Sequence, residues 1–261
     1  MKKIECPHLD LKKIHESGQV LMGWSLLEPG KYKIVSGNHV LTATQRSDGA
    51  EFDCADEEMP YWEHYFDLET DYAKIEKAYP ADDYLAQALE YGRGIRILNQ
   101  DLWETLVSFI VSQNNNIPRI TKSLNIIRND REFFPTKEEL YLERERLKDC
   151  GLGYRDRYLV TLLEELNAET RKLEFSGDMK EAFKELTAIC GIGAKVANCV
   201  LLFGMHHMDC CPVDTWMRKV FDNHYEGRMP EWVKDKNAGY YQQVTFFFER
   251  SGKGNNKDGG R

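Results

Sequence analysis

The stretch from Leu186 to Val220 reads LTAICGIGAKVANCVLLFGMHHMDCCPVDTWMRKV, and its reading decides the rest of the chain. It opens on the end of one helix, and Gly191-Ile192-Gly193 supplies the turn that follows. A second helix then begins, with Val196, Cys199, Val200 and Phe203 apolar at helical spacing. Two glycines around one apolar residue allow a sharp reversal. They also leave backbone N–H groups bare at a helix N-terminus, where a phosphate can sit on aligned dipoles. A helix–hairpin–helix of this kind grips a nucleic-acid backbone without reading bases. Lys195 falls in the first turn of the second helix, and Asp214 follows Pro212-Val213. Singly these signals say little. A Gly-x-Gly is commonly only a turn, a first-turn lysine is commonly solvated, and Asp214 also stands where the N-cap of a helix over Thr215-Trp216-Met217 belongs.

Working outward, the 261 residues are 42% hydrophobic and 30% charged, enough for one compact unit or two to three small lobes. No run of eighteen apolar residues occurs, so no membrane span is expected. The opening MKKIECPHLDLKK lacks an apolar core and predicts no secretory signal. Seven cysteines form no regular framework and suggest a reducing cytosol, hence a cytoplasmic (nucleoid-associated if bacterial) protein. Cys210-Cys211 is not a metal-ligand spacing. The net charge of −8 counts against DNA on average. Phosphate contacts supply most non-specific affinity, so a DNA enzyme here needs a focused basic face. The segment from Asp53 to Glu69, away from the hairpin, alone carries seven carboxylates.

The N-terminal part reads as an antiparallel meander. Tyr32–Val35, Val40–Thr44 and Ala50–Cys54 are short and rich in β-branched and aromatic residues, divided by Ser36-Gly37-Asn38 and Ser47-Asp48-Gly49. Before them, Ser17-Gly18-Gln19 reads as a loop with a glycine at its tip. Helical patterns follow at Tyr61–Phe66 and at Tyr72–Tyr79, the latter closed by Pro80. From Ala81 onward helical spacing dominates. Leu85, Ala88 and Leu89 form one stripe, and Leu102, Leu106, Phe109 and Ile110 form another that continues through Ile117, Ile120, Leu124 and Ile127. Leu140–Leu147, Tyr158–Leu166 and Ala238–Arg250 add further helices. The predicted class is α+β: a small antiparallel β-rich domain over residues 1–92, then a mainly α-helical body over 93–250 with the helix–hairpin–helix at 180–205. Residues 251–261 form a tail too poor in apolar groups to order itself.

The joint pattern GIGAKVANCVLLF followed by PVDTW resembles the helix–hairpin–helix base-excision DNA glycosylases, and among them the 8-oxoguanine DNA glycosylases. The likeness runs through nearly the whole chain, to about Arg250. It implies a sheet followed by two helical lobes with the active site between them. It also implies that Lys195 attacks the sugar while Asp214 assists. Cutting an N-glycosidic bond builds positive charge on the deoxyribose, which a fixed carboxylate stabilises. Burial and a helix N-terminus would lower a lysine pKa and supply the neutral amine. A carboxylate left isolated in such a pocket would cost stability.

The resemblance assigns further residues. The target base must be flipped out of the duplex. The Gly18 carbonyl would then accept the N7 hydrogen that oxidation creates, and Cys199 and Phe246 would sandwich the base with Gln242 at its Watson–Crick edge. Asn114 would plug the vacated space, Tyr154 would wedge the duplex, and Arg119 and Arg155 would face the orphaned partner, with cytosine preferred over adenine. Gly191 and Gly193 would sit on the DNA backbone. The backbone carbonyls of Thr187, Ile189 and Ile192 would hold a structural cation. No other cofactor is implied, and the four cysteines that bind an iron–sulfur cluster in some superfamily members are missing. The expected partner is duplex DNA containing an oxidised purine, bound by a monomer. Two departures from the family stand out: Leu21 replaces an aromatic lid, and Trp216 replaces a frequent histidine. A monofunctional alkylated-base glycosylase would not need Lys195. A non-catalytic hairpin module would need neither Asp214 nor the aromatic pocket.

Overall fold

The computed structural model describes residues 1–77 and 82–254. The meander is a five-stranded antiparallel sheet of β1 (Lys2–Glu5), β2 (Trp24–Glu28), β3 (Lys31–Ser36), β4 (His39–Arg46) and β5 (Gly49–Asp53), in the order β1-β5-β4-β3-β2. The three strands expected from sequence are its centre, β3 to β5. Along β3 every second residue is buried, because one face packs on a core and the other meets solvent. The two edges carry no such signal. In β1 only Ile4 is buried, and in β2 only Trp24. A short helix, α1 (Leu11–Glu16), was also not expected; Asp10 caps it, and Leu11 and Ile14 anchor it to the sheet.

Helices make up the remainder. They are α2 (Met59–Tyr65), α3 (Tyr72–Glu76), α4 (Asp83–Gly92), α5 (Leu102–Ser112), α6 (Ile117–Arg128) and α7 (Lys137–Leu142), then α8 (Arg155–Asn167), α9 (Met179–Thr187), α10 (Ala194–Gly204), α11 (Thr215–His224) and α12 (Ala238–Arg250). The expected helix over Tyr72–Tyr79 is α3; its predicted end, with Pro80, lies outside the described residues. The stripe read as continuous from Leu102 to Ile127 breaks at Gln113–Asn116, where Asn114 takes φ +45° and Asn116 caps α6. The helix expected at Leu140–Leu147 starts earlier, at a Thr136–Glu139 capping box, and gives way to a 3₁₀ turn at Arg144–Asp149.

Two cores account for the packing. One joins Phe52, Trp62, Phe66, Ile34 and Leu41 of the sheet side with Leu11 and Ile14. The other joins α4, α5, α6, α8, α10 and α12 and already includes Tyr72, Leu85 and Leu89. The expected domain boundary at residue 92 therefore moves. The sheet core takes in Phe66 and, further on, Leu98, while α3 and α4 belong to the helical body. Of the tail expected from residue 251, Ser251, Gly252 and Lys253 are exposed. Gly254 is buried against Glu249 and Tyr84, where an added Cβ would lie 2.4 Å from Glu249 Oε2; residues 255–261 lie outside the described part.

The two halves are stitched together by buried polar side chains. Arg96, 1% exposed, donates to the carbonyls of Phe66, His8 and Thr70 and lies over the Tyr72 ring. Gln19 donates to the Arg96 carbonyl and accepts from Leu98 N. The Ser17-Gly18-Gln19 loop is thereby fixed against the segment that leads into α5.

Candidate active site

The hairpin joins α9 to α10, and its two glycines do different things. Gly191 has φ +82°, and a Cβ there would lie 2.3 Å from Cγ of Tyr158, so both the conformation and the ring demand glycine. Gly193, the N-cap of α10, has open space around it and provides no side-chain cap. The first-turn amides of α10 are left without a side-chain partner from the cap and are approachable from outside. Of the three carbonyls expected to face a cation, that of Ile189 already accepts a bond from Ile192 N. Among the described residues no cluster of three or more His, Cys, Asp or Glu side chains is suited to a metal.

Lys195 points from the first turn of α10 toward α5. Its Nζ is 3.3 Å from Ser112 Oγ and 5.1 Å from the centre of the Phe109 ring. One turn on, Cys199 is buried, and burial pushes its thiol pKa up. That thiol feels both Lys195 and Asp214, which places all three in one neighbourhood. Asp214 is the N-cap of α11, and its Oδ1 accepts from Trp216 N and Met217 N at 3.0 and 2.9 Å. Both cap bonds end on Oδ1, so the cap leaves Oδ2 uncommitted.

Across from Lys195 stands the Ser17-Gly18-Gln19 loop. The carbonyls flanking Gly18 are taken, that of Ser17 by Gln243 Nε2 and that of Gln19 by Gln100 Nε2. Among the described residues no hydrogen bond ends on the Gly18 carbonyl. Gly18 has φ +89°, and its missing Cβ would lie 2.9 Å from Cε1 of Phe246. On α12, Gln242 is 5% exposed and its Oε1 has no partner. Gly18, Lys195, Cys199, Asp214, Gln242 and Phe246 all line a single cavity of about 1010 Å³. Leu21 and Trp216, the two departures, line it too, with Lys219 Nζ 4.6 Å from the Trp216 ring.

The loop between α5 and α6 forms the rim. Asn114 is exposed and donates to Tyr154 Oη at 2.9 Å, so the two stretches expected to act on the duplex meet. Arg119 is exposed at the start of α6, and its side chain makes a long bond (3.5 Å) to the Gly151 carbonyl. Arg155 departs from expectation. It is 4% exposed and donates to the carbonyls of Gln113, Asn114 and Leu152, while its guanidinium lies over the Tyr154 ring. A fork of donors beside free carbonyls at the end of α5 satisfies them. Arg155 thus holds the rim loop.

Charge is focused as the acidic composition required. Lys195, Arg218 and Arg250 line the cavity against one carboxylate, Asp214, on a chain of net charge −8. Sequence reading missed Ser112 as the partner of Lys195, and missed Arg218 and Arg250. Arg250 carried a signal, since it lies four residues beyond Phe246 and eight beyond Gln242.

Comparison with known proteins places the chain in a family. The family described as 8-oxoguanine DNA glycosylase, N-terminal domain, matches residues 3–106. The N-glycosylase/DNA lyase of Saccharomyces cerevisiae is 32% identical over 160 residues, 51% of this chain and 43% of the yeast protein. The Arabidopsis thaliana N-glycosylase/DNA lyase OGG1 is 29% identical over 206 residues, 64% of this chain and 55% of its own length. The chain spans about half the length of these curated relatives. A solved Clostridium acetobutylicum 8-oxoguanine glycosylase/lyase, in complex with double-stranded DNA containing cytosine opposite 8-oxoG, superposes with a TM-score of 0.87 at 30% identity. That match covers 94% of this chain and 93% of the other. By sequence and fold, the chain belongs to the 8-oxoguanine DNA glycosylase family.

Proposed function

We propose that the chain is a bifunctional DNA glycosylase and AP lyase that removes 8-oxoguanine from duplex DNA in base excision repair. The observation that carries this reading is the convergence of an amine, a carboxylate and an unpartnered glycine carbonyl on one cavity large enough for a nucleotide. The Lys195 amine attacks C1′ of the flipped nucleotide, and the C–N bond to the base breaks with its electron pair leaving on the base. Asp214 faces the positive charge that develops on the sugar. Opening of the sugar ring gives a protonated Schiff base on Lys195. Loss of a C2′ proton then expels the 3′ phosphate.

Recognition follows from hydrogen-bond complementarity. Guanine would aim an N7 lone pair at the Gly18 carbonyl, whereas the lesion offers N7–H. Phe246 and Cys199 supply the two faces of the base slot, and Gln242 Oε1 supplies an unfilled acceptor for its Watson–Crick edge. Asn114 and Tyr154 fill the duplex, and Arg119 faces the orphaned base, for which cytosine offers acceptors at N3 and O2. The uncapped amides after Gly193 take a backbone phosphate. Three neutral carbonyls, at Thr187, Ile189 and Ile192, suit at most a weakly held hard cation. No other cofactor enters the reaction, and the enzyme acts as a monomer. No helix among the described residues is long and apolar enough to cross a membrane, in keeping with a cytosolic or nucleoid location.

Borohydride trapping on a duplex carrying one 8-oxoguanine tests the proposal. The wild type is expected to crosslink, and Lys195→Gln to lose the crosslink while keeping duplex affinity. Equal crosslinking by the variant would remove Lys195 from its role. Excision without crosslinking would favour a monofunctional glycosylase.

A further inference from the structure

The face of α12 that lines the cavity repeats every four residues: Gln242, Phe246, Arg250. It therefore presents an amide, a ring and a guanidinium in line. Two buried polar atoms on this face have no hydrogen-bond partner among the described residues, Gln242 Oε1 at one end and Arg250 Nη1 at the other. The other terminal nitrogen of Arg250 is engaged. Its Nη2 donates to the Glu16 carbonyl at the end of α1, and its Cζ lies 5.3 Å from the Phe246 ring centre. Burial lowers its pKa, yet a guanidinium remains a cation and a pure donor. Leaving a buried charged N–H unbonded is costly, which makes an incoming acceptor favourable there.

The position of that N–H identifies the acceptor. A Cβ placed on Gly18 would lie 2.7 Å from Arg250 Nη1, so the unfilled donor stands beside the residue whose carbonyl is unfilled. The pair is an acceptor and a donor side by side. Oxidation of guanine at C8 creates the complement, an N7–H donor next to a C8=O acceptor. Unmodified guanine presents a lone pair at N7 and a C–H at C8, and matches neither.

We propose that Arg250 is a specificity-determining residue whose Nη1 donates to the C8 oxygen of the extruded base, beside the bond from N7–H to the Gly18 carbonyl. The inference rests on the function proposed above and adds a second reading group to it. It assigns Arg250 no part in bond breaking.

The test is an affinity comparison in the Lys195→Gln background, with and without Arg250→Met, on duplexes carrying 8-oxoguanine, 8-thioguanine, guanine or a tetrahydrofuran abasic site. 8-Thioguanine keeps N7–H and replaces O8 by a weaker acceptor. Loss of a charged hydrogen bond is expected to weaken 8-oxoguanine binding by about ten- to a hundredfold. Binding of the abasic duplex, which places no base in the pocket, is expected to change less than about threefold. The preference for 8-oxo over 8-thio should shrink in the variant, which is the coupling a double-mutant cycle isolates. Equal losses on the lesion and abasic duplexes overturn the proposal, because Arg250 would then only hold α1 to α12. An unchanged 8-oxo to 8-thio ratio overturns it as well. Should the methionine variant not fold, Arg250→Lys carries the same comparison, since a lysine cannot span Glu16 and the base with one fork. A background protein that binds lesion and guanine duplexes equally refutes the proposed function itself, and Arg250's role with it. A lesion preference untouched by Arg250→Met refutes only the role of Arg250.

Discussion

Asp214 divides two tasks between its oxygens. Oδ1 receives the amides of Trp216 and Met217 and so starts α11, while the carboxylate as a whole lies on the cavity with Lys195. The expectation that an isolated buried carboxylate strains the fold does not apply, because this one is only partly buried and accepts two backbone bonds. Asn caps a helix about as well as Asp. Asp214→Asn is therefore expected to leave stability within about 0.5 kcal/mol while slowing single-turnover base release by roughly two to three orders of magnitude, the cost of one electrostatic stabiliser. Denaturant unfolding and excision kinetics on the same variant read the two tasks apart. An unchanged excision rate would leave Asp214 as a cap and nothing more.

At the scale of the element, the hairpin separates a glycine the fold requires from one it does not. Gly191→Ala forces a side chain into a positive-φ position and into the Tyr158 ring. It is expected to cost about 2–4 kcal/mol, combining backbone strain with overpacking. Gly193→Ser meets open space and adds a capping oxygen, so stability is expected to hold or rise by a few tenths of a kcal/mol. The same hydroxyl takes an amide a phosphate would use, so duplex affinity should fall. Urea unfolding with a duplex titration checks both, and a Gly193→Ser protein of undiminished affinity would show that phosphate does not dock there. The hairpin was legible because its glycines, its helical spacing and its lysine are all local in sequence. So was the pairing of Gln242 with Phe246, one turn apart. The hold of Arg155 on the rim was not legible because its partners, the carbonyls of Gln113 and Asn114, come together only once α5 ends beside α8. The edge strands β1 and β2 were missed because each buries one residue, and one buried residue makes no period.

On the scale of the molecule, the Ser17-Gly18-Gln19 loop lies where the sheet core and the helical core are joined, and the joint contains an ionisable group. Glu104 on α5 accepts from Gly37 N in the turn between β3 and β4, at 3.0 Å. Burial, with the charge of nearby Asp101 added, pushes its carboxyl up from 4.5 to about 8. Gln19, Leu21 and Gln100 line the same small space, so the group lies under the loop that carries Gly18. A folded-state pKa above the unfolded value means the native protein holds the proton more tightly. The stabilisation this gives is fully present below about pH 4.5 and is lost as pH rises through about 8. Glu104→Gln keeps an acceptor for Gly37 N and has no proton to lose. It is expected to match the wild type near pH 4 and to exceed it increasingly toward pH 8.5. The gap should reach a few kcal/mol, because the native carboxyl resists ionisation at a cost of about 1.4 kcal/mol for each tenfold change in its acidity. Denaturant unfolding of both proteins at pH 4.5, 6.5 and 8.5 gives the difference directly. A gap that stays constant with pH would mean that Glu104 titrates normally and that the joint between the two cores carries no buried proton.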